Sequence, residues 1–209
     1  MIVDPGRLRL CLVTDRNLSR GRPLVEIVAA AVRGGATMVQ LREKDIDTRA
    51  FVEAARALKA LLAEAGVAFI VNDRVDIAMA VAADGVHVGQ SDMRVEDVRR
   101  LIGPDRIVGL SIDHVDQIRR GDAECADYLG VGPIYVQSTK SDAAPPLGVV
   151  GLRAARALTT KPIIAIGGVT PDNAAAVLEA GAQGLAVVSA IVAADDPEAA
   201  TRRFARLSR

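Results

Sequence analysis

The chain has 209 residues, half of them hydrophobic but only 2% aromatic, so it is long enough for one large domain with a core of Ala, Val, Leu and Ile. Its 26 basic and 26 acidic residues cancel, which argues against the clustered basic excess of a nucleic-acid binder. No apolar run reaches the roughly 18 residues of a membrane helix, and Met1 to Arg9 carries no apolar signal core, so a cytoplasmic protein is expected, with Cys11 and Cys125 as buried free thiols.

In chain order, short β-branched runs alternate with longer Ala-rich runs. The strand candidates are Leu8–Thr14, Met38–Glu43, Ala68–Asn72, Gly85–Val88, Ile107–Ser111, Tyr128–Val131, Ile163–Ile166 and Leu185–Val188. Each is short and apolar, as in strands buried on both faces. Pro23 opens a helical segment that runs to Arg33 and stops at Gly34-Gly35, and Thr48 to Ala65 is an amphipathic run closed by Gly66. Thr170-Pro171-Asp172 opens a further helix closed by Gly181. Asp195-Asp196-Pro197 caps the last, whose Arg202, Arg203 and Arg206 lie toward the end that the helix dipole makes negative. Repeated β-then-α units predict a parallel sheet with right-handed crossovers, and eight of them predict an α/β fold, a closed (β/α)8 TIM barrel in a single domain over residues 1–209. An open doubly wound sheet is the alternative. The stretch 133–150, with Gln137, Ser138, Thr139, Lys140, Pro145, Pro146 and Gly148, is too long and polar for a simple connection and predicts a loop over the active-site face.

In such barrels the active site lies at the C-terminal ends of the strands. The predicted strands end there on Gln40, Arg42 and Lys44, on Asn72-Asp73, on Gln90-Ser91-Asp92, on Ser111, on Gly167-Gly168 and on Val188-Ser189, while the sixth leads into Ser138-Thr139-Lys140. Asp73 and Asp92, at the ends of adjacent strands, are candidate ligands for Mg²⁺, which takes one or two carboxylates plus waters and phosphate oxygens. Arg42, Lys44 and Lys140 would complete the neutralisation of a diphosphate leaving group. Gly168 and the Val188-Ser189 turn, after the last two strands, suggest a separate monophosphate site. One diphosphate and one monophosphate site point to two phosphorylated substrates. Singly, each residue has a plainer reading: Asp73 as a helix cap, Arg42 and Lys44 as solvated charges pairing with Glu43 and Asp45, Lys140 as surface charge. His87, in an apolar strand, reads as a satisfied core residue rather than a catalyst, and His114 as the start of a surface helix. Tyr128 and Tyr135 are candidates to place hydroxyls near the pocket.

Several segments, in order and at similar spacing from about residue 10 to 192, carry a family resemblance. They are Val13-Thr14-Asp15-Arg16, Val39-Gln40-Leu41-Arg42-Glu43-Lys44-Asp45, Val71-Asn72-Asp73-Arg74, Gly85 through Asp92, Gly130-Val131-Gly132-Pro133, Ser138-Thr139-Lys140, Ile166-Gly167-Gly168 and Val188-Ser189-Ala190-Ile191. Together the chain resembles thiamine phosphate synthases. The resemblance implies a transferase that joins an aminopyrimidine diphosphate to a thiazole phosphate and releases pyrophosphate. It implies that Gln40, Arg42, Lys44, Asn72, Ser111 and Lys140 hold the pyrimidine diphosphate, that Asp73 and Asp92 bind Mg²⁺, and that Ser138, Thr139, Gly168, Val188 and Ser189 hold the thiazole phosphate. Arg42, Lys44, Lys140 and Ser111 would then carry the catalysis. Family members ionise the pyrimidine to a carbocation-like species that the thiazole nitrogen captures. The chain departs from the family pattern at Gln137, where Thr is usual, at Ser111-Ile112-Asp113-His114, and across Asp142 to Leu147.

Two other readings compete. Thiazole tautomerase relatives handle the thiazole phosphate alone and use a His two residues after the fifth-strand Ser, where this chain has Asp113. A non-catalytic phosphate sensor would keep the anion sites without needing paired metal carboxylates. The partners expected are small phosphorylated molecules, with no nucleic acid and no membrane, met by a monomer or homodimer.

Overall fold

The computed structural model describes residues 4–137 and 144–207. Eight parallel strands are hydrogen-bonded in chain order: β1 (Leu10–Val13), β2 (Met38–Leu41), β3 (Ala68–Asn72), β4 (Gly85–Val88), β5 (Ile107–Ile112), β6 (Tyr128–Val131), β7 (Ile163–Ile166) and β8 (Gly184–Val187). Pairing of β8 with β1, with Leu10 opposite Leu185 and Leu12 opposite Val187, closes the barrel and removes the open-sheet alternative. Four strands have the predicted bounds, and the others differ by one or two residues at an end, where pairing gives way to turns.

The helices follow local signals. Helix α1 (Leu24–Gly34) ends on Gly35 at φ 106°, and α2 (Thr48–Ala65) starts with the Asp47 carboxylate accepting from the Ala50 N–H at 2.9 Å and ends on Gly66 at φ 67°. After β3 comes α3 (Val75–Ala80), and after β4 comes α4 (Val95–Ile102). The short α5 (Gly121–Cys125) precedes β6, and α6 (Gly148–Ala157) precedes β7. The Thr170-Pro171-Asp172 segment forms a turn, in which the Asn173 side chain accepts from the Thr170 N–H at 2.8 Å. Helix α7 therefore starts later than predicted, spanning Ala174–Glu179. Helices α8 (Ser189–Val192) and α9 (Pro197–Ala205) complete the ring, and Asp196 caps α9. His114 caps the 3₁₀ turn Val115–Arg119, as its predicted place at the start of a surface helix required.

Apolar side chains form two layers. The larger lies between strands and helices, around Leu12, Val39, Phe69, Val86, Leu129 and Leu185. The smaller fills the barrel, with Leu8, Met38, Ala68, Ile107 and Ile164 among its members. Since strand side chains alternate in and out, the inward positions pass from these apolar residues to Gln40, Asn72, His87 and Ser111 at the C-terminal mouth. Cys11 is a buried free thiol pushed up to about 12 by that burial. Cys125 is exposed, contrary to expectation, because α5 is only five residues long and buries Ala123 instead. Among the described residues no helix is long and apolar enough to cross a membrane.

Candidate active site

The C-terminal mouth opens into a cavity of about 1140 Å³. Gln40, Arg42 and Lys44 reach it from β2 and the turn beyond, Asn72 and Asp73 from β3, and Asp92 from the turn after β4. Ser111 lines it from β5, Gly168 from the turn after β7, and Val188 and Ser189 from the end of β8. Ser138, Thr139 and Lys140 lie outside the described residues, as does the centre of the loop predicted over 133–150. The residues flanking that gap, Gln137 and Ala144, both line the cavity. Further in, the two ends of the loop are tied together: the Leu147 N–H donates to the Pro133 carbonyl at 2.8 Å and the Gly148 N–H to that of Ile134 at 3.0 Å.

Each strand end is held by its neighbour. Thr14 donates its N–H to the Gln40 carbonyl and accepts from the Arg42 N–H, both at 2.9 Å, which fixes the turn carrying Arg42. Glu43 points away and pairs with Arg16 at 2.9 Å, not with Arg42 or Lys44. Lys44 reaches across to Asp73 at 2.5 Å, while the Arg42 guanidinium has no ion-pair partner among the described residues. Asp73 does not cap α3. Its backbone takes φ 59°, with its N–H donating to the His87 carbonyl at 2.8 Å and its own carbonyl accepting from Val75. Asp tolerates this left-handed conformation better than most residues.

The Asp73 carboxyl faces Lys44 on one side and Asp92 on the other. Burial raises its pKa most; Lys44 works against the rise, and a hydrogen bond with Asp92 together with that residue's charge adds to it. Asp92 is oriented by the Gly89 N–H, which donates to Oδ2 at 2.7 Å. Two adjoining carboxyls, disfavoured as a doubly charged pair, suit a hard divalent cation. No group of three or more His, Cys, Asp and Glu able to hold a metal occurs among the described residues. That is consistent with an ion whose remaining ligands are waters and phosphate oxygens.

On the opposite wall, Gly167 and Gly168 have φ 96° and 65°. A Cβ on Gly167 would lie 2.6 Å from Pro133, and one on Gly168 would lie 2.7 Å from Tyr135 and from the Val136 carbonyl, so close packing of the segment after β6 itself demands glycine. Asn173 holds the turn by donating to the Gly168 carbonyl at 3.0 Å. The far end of α8 is clamped by Arg22, which donates to the Val192 and Ala194 carbonyls at 2.7 Å each. Sequence reasoning missed Arg22 because its acceptors are backbone carbonyls about 170 residues away. It also left His87 in the core. The ring is buried and satisfied, but Nε2 lies 2.8 Å from Ser111 Oγ, at the cavity wall, and burial pushes the imidazole down to about 4. Tyr128 lines the cavity, while Tyr135 packs against the core instead.

A closed (β/α)8 barrel with cations, a carboxylate pair and a tight glycine turn gathered at its C-terminal mouth has the architecture of a barrel enzyme. The model of the family described as thiamine monophosphate synthase matches residues 10–191, and the chain belongs to that family. It is thereby a transferase. It is 50% identical over 195 residues to a thiamine-phosphate synthase of Moorella thermoacetica, covering 93% of each chain. It is 54% identical over 199 residues to one of Chloroflexus aurantiacus, covering 95% of this chain and 92% of that one. Among solved structures, a thiamine phosphate pyrophosphorylase from Pyrococcus furiosus superposes with a TM-score of 0.88 at 37% identity, over 98% of this chain and 96% of that one.

Proposed function

We propose that the protein condenses an aminopyrimidine diphosphate with a thiazole phosphate to give thiamine phosphate and pyrophosphate. The observation that carries this reading is the convergence on one cavity of the Asp73–Asp92 pair with Arg42 and Lys44. Arg42, Lys44 and Lys140 hold the diphosphate; Asn72 and Ser111 hold the pyrimidine end together with Gln40. Gly168, Val188 and Ser189, with Ser138 and Thr139, hold the thiazole phosphate so that its ring nitrogen faces the reacting methylene. The methylene carbon–oxygen bond breaks with its electron pair leaving on pyrophosphate, and the thiazole nitrogen lone pair forms the new carbon–nitrogen bond. No side-chain nucleophile or base is required, so catalysis rests on positioning and on cations set where negative charge develops. Asp73 and Asp92 would hold Mg²⁺, which supplies neutralisation of the departing diphosphate. Both substrates are charged phosphate esters, and a cytoplasmic location belongs to the same reading. Asp113, where tautomerase relatives carry His, is bound at 2.5 Å by its neighbour Gln117, an arrangement that favours the synthase reading over the tautomerase one.

Two substitutions test the assignment. Asp92→Ala should lower Mg²⁺-dependent turnover at least ~100-fold with the fold intact by circular dichroism, since several kcal/mol of charge stabilisation is removed. Near-normal rates would remove the metal assignment. Lys140→Ala should lower turnover more than it weakens thiazole phosphate binding; the reverse would move Lys140 to the other substrate.

A further inference from the structure

At the floor of the cavity, the barrel interior holds two polar rings that the reaction as written does not use. His87 on β4 and Tyr128 on β6 are buried, 7% and 2% exposed. His87 Nδ1 lies 2.9 Å from the Tyr128 hydroxyl and Nε2 lies 2.8 Å from Ser111 Oγ. The Gln40 side chain adjoins the Tyr128 hydroxyl and works against the rise in its pKa that burial causes. The hydrogen-bonded chain therefore runs Tyr128, His87, Ser111, with Gln40 beside Tyr128, and all four line the cavity.

The slot for this chain is built by two glycines on neighbouring strands. A Cβ on Gly109 would lie 2.2 Å from Tyr128 Cζ and 2.4 Å from His87 Nδ1, and one on Gly130 would lie 2.8 Å from His87 Cε1. Packing alone does not call for two polar rings here. Aliphatic residues of the kind filling the rest of the interior would occupy the space without hydroxyl and imidazole groups that must each find a partner.

The chain also has a direction. A neutral imidazole offers one N–H and one lone pair. Suppose Tyr128 donates to Nδ1. Nε2–H then donates to Ser111 Oγ, which leaves the serine O–H to point into the cavity. In the other tautomer both bonds reverse: the Ser111 O–H is spent on Nε2, and the serine offers only lone pairs to the cavity. In either arrangement the imidazole sets the direction of the Ser111 O–H. Without the chain, the serine rotor could turn to either polarity.

We propose that His87 and Tyr128 are positioning residues that fix the direction of the Ser111 hydroxyl, so that this serine, with Gln40 beside it, reads the amino group and adjacent ring nitrogen of an aminopyrimidine. This rests on the reading of Gln40 and Ser111 as pyrimidine contacts. A site built to pair a specific donor and acceptor rejects an analogue lacking one of them, because its own buried group is left unpaired.

The test is calorimetric binding, with Mg²⁺ present, of the aminopyrimidine diphosphate and of its analogue with hydrogen in place of the amino group, set beside a synthesis assay. Wild type should prefer the amino compound by roughly 100-fold or more. Tyr128→Phe, which keeps the ring and removes one link, should lower that ratio about tenfold, with thiazole phosphate binding unchanged. His87→Gln, which keeps a donor and an acceptor near Ser111, should retain part of it, and serves in place of Tyr128→Phe if that variant does not fold. A ratio unmoved in a folded variant overturns the inference even if synthesis proceeds. A ratio that moves while no thiamine phosphate forms upholds the inference and overturns the proposed reaction.

Discussion

Asp73 shows how one residue joins backbone conformation to chemistry. Its φ of 59° turns the chain out of β3, and its carboxyl meets Lys44 and Asp92 over the cavity. Most side chains in this conformation cost of order 1 kcal/mol or more, and Asp is among the few that take it readily. The residue types at the mouth were legible from sequence because acids and cations at successive strand ends need no structure to be counted. The role of His87 was not, because an apolar strand context signals burial, and in a barrel interior a buried ring can also touch the site. Its titration gives a stability prediction. The folded imidazole is held near 4, against an ordinary 6.5, by burial, with the Asp92 charge opposing. As pH falls from about 6.5 the unfolded chain takes up the proton first, so stability is lost down to about pH 4 and this contribution then levels off. In metal-free protein, urea unfolding should show a fall between pH 7 and 4.5 that is smaller in His87→Leu than in wild type by about 2 to 3 kcal/mol. Equal falls in the two proteins would show that His87 takes up its proton in the folded state as readily as in the unfolded one.

At the scale of elements, glycines divide into those that end helices and those that make room. Gly66 closes α2 at φ 67° with open space where a Cβ would go. Gly66→Ala should therefore cost about 1 kcal/mol of stability, seen as a lower urea midpoint, and leave turnover unchanged. Gly109→Ala should behave differently, since its Cβ would sit 2.2 Å from Tyr128 on the next strand. Displacement of Tyr128 and His87 should lower turnover at least ~10-fold, beyond what the loss of stability explains. Wild-type turnover in a folded Gly109→Ala protein would mean the ring pair has no influence on Ser111. Helix ends marked by their own residues, such as Gly66 after α2 and Asp196 before α9, were legible in the sequence. The start of α7 was not, because Asn173 folds back on Thr170 and spends three residues on a turn. The need for glycine at 109 and 130 could not be read locally, since its reason lies across the sheet.

At the scale of the molecule, eight repeated units predict a barrel, but closure is a contact between the first and last strands that local pattern cannot display. Here it is made tight by Gly184, where a Cβ would lie 1.8 Å from the Leu8 carbonyl. The closed barrel sets apolar layers at one end and a polar mouth at the other, and the proposed reaction needs both the rigid wall and the converging charges. The loop over 133–150 was predicted from its length and polarity; its flanks meet the cavity, and its centre falls outside the described residues. The most direct test of the whole account is to mix purified protein with Mg²⁺, the aminopyrimidine diphosphate and the thiazole phosphate, and to measure thiamine phosphate and pyrophosphate together by mass spectrometry. The account predicts the two products in equal amounts, neither forming when one substrate is omitted or the metal is chelated. Pyrophosphate without thiamine phosphate, or a rearranged thiazole phosphate alone, would contradict it.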